Sequence, residues 1–378
     1  MIAGVFLLFA PEPSSESDCI VQTLFNNLWY EQNPTIGQKL LLYLLVPLGW
    51  IYGFFAALNR RFAKAQKAPL PTISVGNLTL GGSGKTPTTM MIAELLMENG
   101  VRPCVISRGY KAKLEGQTAI VSDGKTVFLS AEVAGDEPVM MARRLLVSEI
   151  PVVIGARRID AARLVAEKLP ADLLVLDDGF QHHRLHRDLN ILCVNGRLGF
   201  GNGRVVPAGP LREPISALRH ADLVLVNRYD GSNRATSQLS IIAPDIPTFS
   251  VPYRIGGFVD LSCGETIPIN KVANRPVIAF SSIAHPQPFF DALQAVGITV
   301  IDRAIFPDHS EYGDRELATL GNLAKGGVVE YYVTTEKDGA KLSEKTEHFR
   351  HKVIAAFLEP QPSLEVRETL LSLFKGVL

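Results

Sequence analysis

The 378-residue chain has few of the residues that signal zinc or disulfide chemistry. Its four cysteines, Cys19, Cys104, Cys193 and Cys263, are scattered, and no two of them form a C-x-x-C pair. This spacing argues against a zinc site and against a disulfide framework, and it suits a reducing compartment.

An excess of charge of one sign is also missing, because 38 lysines and arginines balance 38 aspartates and glutamates. The chain therefore lacks the overall basic character of many nucleic-acid-binding proteins. The first residues carry no positive segment and only a short apolar run, which argues against a signal peptide. What remains is a globular protein long enough for two domains, preceded by an N-terminal extension at 1–24.

One segment departs from ordinary solubility, the uncharged run LLLYLLVPLGWIYGFFAAL at Leu40–Leu58. Its length approaches the ~20 residues that cross a bilayer as a helix. Four basic residues follow it: Arg60, Arg61, Lys64 and Lys67. The positive-inside rule then predicts a cytoplasmic C-terminal side. Two alternatives are a buried core helix and, because of Pro47 and Gly49, a hairpin that dips into one leaflet.

A glycine-rich segment, TISVGNLTLGGSGKTPTT, lies between a predicted strand and a predicted helix. It matches the phosphate-binding pattern G-x-x-x-x-G-K-[ST] except that Thr79 takes the first glycine's place. Backbone N–H groups of such a loop and the start of the next helix can surround an anion. The alternative is a tight turn with a solvated lysine. The predicted cradle consists of Thr79, Leu80, Gly81, Gly82, Ser83, Gly84, Lys85 and Thr86.

A second polar motif follows the predicted strand ADLLVL, where Asp177 and Asp178 end an apolar run. An acidic residue in this position handles Mg²⁺ in many P-loop enzymes, so the pair strengthens the P-loop prediction. Three histidines follow, at 182, 183 and 186, interleaved with Arg184 and Arg187. We interpret this basic stretch as an anion-facing loop, because nothing nearby completes a transition-metal ligand set.

From residue 69 onward, short apolar runs alternate with helical patterns, which predicts an α/β fold with a P-loop NTPase-like doubly wound parallel sheet. A second, smaller α/β domain follows. The predicted organisation is an extension at 1–24, a membrane anchor with its basic flank at 25–68, a P-loop core at 69–246, extended linker strands at 247–270 and the smaller domain at 271–378.

Three further positions draw attention. Asp136 precedes Pro138 at a predicted helix start, and local sequence alone favours an N-cap role for it. Glu213 lies in a glycine- and proline-rich loop, Phe200–Pro214, of the kind that is usually functional. His309 follows Pro307 in the second domain, and nothing local makes it a catalyst.

The ordered set of motifs resembles the lipid A 4′-kinase family, the tetraacyldisaccharide 4′-kinases of Gram-negative bacteria. The resemblance extends from about residue 25 to the end, and in this family a threonine stands where Thr79 does. The segments that carry it are VGNLTLGGSGKTP, SRGY, GDEP, DDGFQHHRL, GNGRVVPAGPLRE, FPDH and TTEKD.

The resemblance implies an ATP- and Mg²⁺-dependent kinase of lipid A, and hence lipopolysaccharide, biosynthesis. Its acceptor would be the 4′-hydroxyl of a tetraacyl glucosamine disaccharide 1-phosphate. The implied partners are this anionic lipid and the lipid of the inner membrane, with the catalytic domains on the cytoplasmic face. No nucleic acid and no obligate protein partner is expected.

Residue roles carried over from the family are also expectations. Lys85 would contact the β- and γ-phosphates within the cradle. Asp136 would accept the proton of the sugar hydroxyl, assisted by His309, which replaces the capping interpretation of Asp136. The implied Mg²⁺ contacts are Thr86, Asp177, Asp178 and Glu213.

A competing class is a membrane-anchored P-loop switch that responds to a protein partner. A GTPase would need a base-reading segment of the N-K-x-D type. The segment TTEKD has Lys337 and Asp338 adjacent, so its spacing does not fit.

Overall fold

The chain forms two compact units in a computed structural model. The first runs to Pro252 and resumes at Pro360, and the second comprises Tyr253–Glu359. The structure describes residues 25, 28–31, 34–109, 112–228, 234–283, 286–307, 310, 312–324, 328–342 and 345–378.

An eight-stranded sheet forms the centre of the first unit, in the order β3-β4-β2-β5-β1-β6-β7-β8. All neighbours are parallel except β3 and β4. The strands are β1 (Thr72–Gly76), β2 (Pro103–Ser107), β3 (Thr118–Ser122), β4 (Val152–Gly155), β5 (Leu173–Asp177), β6 (Leu189–Asn195), β7 (Leu223–Asn227) and β8 (Thr248–Val251).

Helices accompany this sheet. They are α1 (Ile36–Phe62), α2 (Lys85–Glu98), α3 (Ala131–Ala134), α4 (Asp136–Leu145), α5 (Arg158–Lys168), α6 (Arg234–Ile242) and, at the chain's end, α11 (Leu364–Val377). The central strands β1, β2, β5 and β7 are buried along their whole length, as expected for a parallel sheet with both faces covered. The predicted α/β class is confirmed.

The four neighbouring strands β5, β1, β6 and β7 carry the chemistry at one edge. Because they are parallel, their carboxyl ends meet there, which is where open α/β sheets bind ligands. β1 leads into the glycine-rich loop, β5 ends at Asp177, β6 ends at Asn195 and β7 ends at Asn227.

Helix α1 is one uninterrupted helix of 27 residues that includes Pro47, so no hairpin break occurs within it. Thr35 and Gln38 form a capping box at its start. Large apolar side chains on it are exposed, Trp50 at 74% and Phe54 at 63%, which does not fit a core helix. Within the described residues it is the one helix long and apolar enough to cross a membrane.

The second unit has a six-stranded sheet in the order β10-β9-β14-β13-β11-β12. Its strands are β9 (Tyr253–Asp260), β10 (Thr266–Pro268), β11 (Pro276–Ser281), β12 (Thr299–Ile305), β13 (Tyr331–Thr335) and β14 (Lys352–Pro360). Its helices are α7 (Ile269–Val272), α8 (Gln287–Ala295), α9 (Asp314–Leu323) and α10 (Glu336–Leu342).

The segment 247–270, expected to be linker strands, is instead divided between the two sheets. Its first strand, β8, pairs with β7, while β9 and β10 pair with each other in the second sheet. The closing segment also departs from the expected domain limits, because α11 belongs to the first unit. Irregular periodicity marked these strands as extended but could not show which sheet each one joins.

Candidate active site

The glycine-rich loop turns from β1 into α2 through glycines in left-handed conformations. Gly84 is the N-cap, with φ 76° and ψ 26°, and Gly81 has φ 97°. These conformations favour glycine over any residue with a Cβ. A Cβ built on Gly81 or Gly82 would meet no atom within 4 Å, so this side of the loop is open.

Thr79 takes the first position of the motif because the chain is extended there. It forms an antiparallel bridge with Leu211 and is 6% exposed. On either side of the bridge, the Leu80 N–H donates to the Pro210 carbonyl at 2.8 Å, and the Arg212 N–H donates to the Leu78 carbonyl at 2.7 Å. A residue paired in this way does not need glycine's conformational freedom.

Lys85 and the two aspartates after β5 come together at the loop. The Lys85 Nζ lies 3.8 Å from an Asp178 carboxylate oxygen. Arg212 donates to both oxygens of Asp178, at 3.1 and 2.9 Å. Asp177 is 3% exposed and accepts a hydrogen bond from the Thr89 hydroxyl at 3.1 Å.

The pKa values of the two carboxyls are shifted in opposite directions. Burial raises the pKa of Asp177 to about 7, and the negative charges of Glu137 and Asp178 act in the same direction. Burial also acts to raise the pKa of Asp178, but the positive charges of Arg212 and Lys85 hold it well below its usual range. Asp178 is therefore fixed as an anion, whereas Asp177 is a buried carboxyl that favours the proton until a cation approaches.

A cavity of about 650 Å³ adjoins Asp178. One wall is the C-terminal half of α1, and the others come from the loops after β2, β4 and β5 and from the loop that pairs with Thr79. Its lining is mainly apolar on the helix side and combines three arginines with two carboxylates elsewhere: Tyr52, Phe55, Ala56, Asn59, Arg108, Ala156, Arg158, Asp178, Gln181, His182, His183, Arg212 and Glu213.

The basic lining is held by buried contacts. Arg158 is 3% exposed and donates to the Gly155 carbonyl at 2.5 Å. Burial lowers the pKa of His182 to about 4, and the charges of Arg158 and Arg187 act in the same direction, so this imidazole is neutral near pH 7. The cavity thus presents guanidinium groups beside a neutral imidazole. Arg212 is already paired with the Asp178 carboxylate, so an anionic ligand would be drawn towards Arg108 and Arg158.

Glu213 lines this cavity, and the side chains of Arg60 and His183 contact its carboxylate. Arg60, in the last turn of α1, approaches one oxygen at 2.7 Å and the other at 3.1 Å, and the His183 Nε2 lies 3.3 Å from the latter. Arg60 also lies 4.8 Å above the Phe180 ring. The role of Glu213 as a metal contact stays a prediction, and in this structure both of its oxygens already have partners.

Asp136 is the exposed first residue of α4. The N-cap of α4 is Gly135, and no side-chain capping hydrogen bond forms, so the capping interpretation from local sequence was wrong. Its role as a base stays a prediction. His309 and its neighbour Asp308 lie outside the described residues.

Sequence reasoning missed several residues of this site. Asn195 and Asn227 donate to carbonyls of the glycine-rich loop, and Arg60 reaches Glu213 from 153 residues away. The asparagines end two predicted strands, and that position at the ligand-binding edge was the available signal. Nothing in the sequence indicated the partner of Arg60, because it depends on tertiary packing.

Comparison with known proteins places this geometry among lipid kinases. The family model described as Tetraacyldisaccharide-1-P 4′-kinase matches residues 41–375. The Tetraacyldisaccharide 4′-kinase of Pelobacter propionicus is 42% identical over 89% of this chain and 94% of its own. That of Geobacter sulfurreducens is 45% identical over 82% and 87%. The crystal structure of LpxK from Aquifex aeolicus in complex with ATP has a TM-score of 0.65 at 34% identity, covering 89% of this chain and 99% of its own.

Proposed function

This chain belongs to the tetraacyldisaccharide-1-P 4′-kinase family, and we propose that it transfers the γ-phosphoryl group of ATP to the 4′-hydroxyl of a tetraacyl glucosamine disaccharide 1-phosphate. The bond from the γ-phosphorus to the β,γ-bridging oxygen breaks, a bond to the sugar oxygen forms, and ADP leaves. The hydroxyl proton passes to a base of the enzyme. The product is the 1,4′-bisphosphorylated lipid of lipid A biosynthesis.

The position of Asp178 carries this proposal. Its carboxylate lies 3.8 Å from the Lys85 ammonium and also lines the basic cavity. A phosphate held in the glycine-rich loop and a sugar held in the cavity would therefore meet at this residue. Phosphoryl transfer depends mainly on such positioning and on neutralised charge.

The lining of the cavity suits an acylated sugar phosphate. Arg108 and Arg158 would supply positive charge for a phosphate on the sugar, whereas Arg212 is already paired with Asp178. Tyr52 and Phe55 of α1 supply an apolar wall that would contact the acyl chains. The ligand fits this combination because it has an anionic head and an apolar tail.

Mg²⁺, the usual partner of ATP in kinases, fits the oxygen atoms at the end of β5. The buried carboxyl of Asp177 holds its proton to about pH 7, and a divalent cation next to it would favour the anion. Thr86, Asp177 and Asp178 would hold the ion, which would neutralise charge on the phosphates. Glu213 would join them as a fourth contact, and its carboxylate already accepts from Arg60 and lies beside His183.

For the proton, we assign Asp136 as the base and His309 as its assistant. Asp136 is exposed at the start of α4, so its carboxylate has not been used up by a capping bond. Loss of a general base typically lowers the rate by about 10²–10⁴-fold. Asp136→Asn and His309→Ala should each lower kcat within that range, with ATP binding little changed.

The test is transfer of labelled phosphate from ATP to a purified disaccharide 1-phosphate lipid in detergent, with both single variants and the double variant. If the two residues act as one unit, the double variant should lose much less than the product of the single losses. If the loss in the double variant equals the product of the single losses, Asp136 and His309 do not act as one unit. Absence of labelled lipid with the unaltered protein would refute the kinase proposal.

For location, α1 would hold the catalytic unit at the membrane, with its C-terminal side in the cytoplasm. Its exposed apolar side chains and the following Arg61, Lys64 and Lys67 support this orientation. A P-loop switch is the alternative class. Nucleotide hydrolysis that responds to a protein partner and not to lipid would favour the switch.

A further inference from the structure

Asn227 lies directly behind the glycine-rich loop, at the end of β7, and it is fully buried. Its side-chain Nδ2 lies 3.0 Å from the Ser83 carbonyl oxygen, 3.3 Å from the Gly84 carbonyl oxygen and 2.8 Å from the Thr88 hydroxyl oxygen. An amide nitrogen has two hydrogens, so these contacts use its full donating capacity.

Asn195 repeats the arrangement one strand away. From the end of β6, its Nδ2 donates to the Gly82 carbonyl at 3.1 Å. Its Oδ1 accepts from the backbone N–H groups of Arg197 and Leu198, at 3.1 and 3.0 Å. These two bonds fix the orientation of the side-chain amide, so the donor is held towards the loop.

Together the two asparagines hold the carbonyls of Gly82 and Ser83. The next carbonyl, that of Gly84, accepts mainly from the Thr88 N–H at 3.1 Å and the Thr88 hydroxyl at 2.8 Å, with Asn227 at 3.3 Å. A trans peptide group is planar, and its C=O and N–H point in opposite directions. Holding these carbonyls towards the sheet therefore directs the N–H groups of Ser83, Gly84 and Lys85 the other way. That is the direction in which a P-loop presents amides to phosphate.

We infer that Asn227 is a positioning residue for the nucleotide, with Asn195 as its weaker counterpart; the inference rests on the proposed ATP site. Gly81 and Gly82 have no Cβ to resist rotation of the neighbouring peptide groups. Without the Asn227 donor, the carbonyl of Ser83 would lose its buried partner and gain by turning outward, whereas the Gly84 carbonyl would keep its bonds from Thr88. An outward carbonyl would present negative charge to the phosphates in place of an amide hydrogen.

The experiment compares Asn227→Ala with the unaltered protein by calorimetric titration with ATP, ADP and AMP. A loop that holds the β- and γ-phosphates should lose affinity for ATP and ADP by about tenfold or more, as expected for one or two buried hydrogen bonds. Affinity for AMP and the KM for the lipid should stay within about twofold. Asn227→Asp keeps the shape and removes the donor, so it should weaken ATP binding at least as much.

Asn190→Ala is the matched control, because Asn190 is a half-buried asparagine at the opposite end of β6. It should bind ATP normally. If Asn227→Ala does not fold, Asn227→Asp and Asn195→Ala take its place. Unaltered ATP binding by the Asn227 variants, or equal weakening of all three nucleotides, would overturn the inference. Failure of the unaltered protein to bind ATP would instead refute the proposed function.

Discussion

The glycine-rich loop and the cavity beside it share Asp178 but are stabilised by different physics. The loop presents backbone amides, and neutral asparagines hold their peptide groups in place. The cavity presents ionised side chains, and the pair of Arg60 and Glu213 joins one wall to another. The loop should therefore respond most to changes in backbone geometry, and the cavity to changes in charge.

The largest effect is expected at Lys85, the side-chain cation of the loop. Lys85→Ala should lower kcat by about 10³-fold, because it removes a charge aimed at the transferring group, while the melting temperature stays nearly unchanged. Single-turnover transfer from ATP measures it. The matched control is Lys113→Ala, an exposed lysine paired with Glu132. Near-normal turnover by a folded Lys85 variant would remove the P-loop assignment.

The next effect, on stability and not on rate, is expected where the cavity depends on charge. Arg60→Met leaves the carboxylate of Glu213 buried without its main partner, which typically lowers the free energy of unfolding by about 3–5 kcal/mol. Urea unfolding measures the loss. Arg61→Met is the matched control, because Arg61 is the exposed neighbour on the same helix and should change stability by less than about 0.5 kcal/mol.

The double variant Arg60→Met/Glu213→Gln tests whether the loss of stability comes from the unpaired charge of Glu213. Removing both charges should restore much of the stability that Arg60→Met loses, since no buried charge remains unpaired. Additive losses in the cycle would contradict an Arg60–Glu213 pair that joins α1 to the cavity.

The smallest effect concerns pH and Asp177. The raised pKa, about 7 in the folded protein, means that the folded state binds the Asp177 proton more tightly than the unfolded state. Its contribution to stability is therefore complete below the ordinary carboxyl pKa and is lost as pH rises towards 7. Without nucleotide, Asp177→Asn should raise the melting temperature at pH 8, by roughly 2–4 °C for each kcal/mol relieved, and much less at pH 4.

Asp172→Asn provides a control of opposite sign. The hydrogen bonds from Arg102 lower the pKa of Asp172 to about 2 on the surface, so its contribution is present at neutral pH and lost as pH falls. This variant should lower stability slightly at pH 8, by less than about 1 kcal/mol for an exposed pair. A stabilising effect of Asp177→Asn that did not grow with pH would contradict the assignment of a raised pKa.

The loop could be predicted from the sequence, whereas the cavity could not. The loop from Thr79 to Thr86 and the aspartates after β5 are contiguous segments with local patterns, and the structure brings Lys85 and Asp178 together as those patterns suggest. The family and its ATP dependence are likewise confirmed. A motif formed by residues that are neighbours in the chain can be recognised from the sequence alone.

The cavity could not be predicted in this way. Its members come from α1 and from loops up to 161 positions later, between Tyr52 and Glu213, and only packing shows that they share a surface. The segment predicted to be a membrane anchor also forms one wall of the cavity. The prediction of linker strands at 247–270 was wrong for the same reason, because strand pairing depends on residues that are distant in the sequence.

Helix α1 has one further consequence, which concerns depth. An α-helix rises 1.5 Å per residue, so its cavity-lining stretch, Tyr52 to Asn59, occupies about 10 Å of axis immediately before Arg60 and Arg61. Arg60 is held inside the protein by Glu213, so in a bilayer the basic residues that would settle at the headgroup level are Arg61, Lys64 and Lys67. Inserted as proposed, the helix would set the height of the cavity relative to the lipid surface, and the cavity would then meet sugars that lie at that depth.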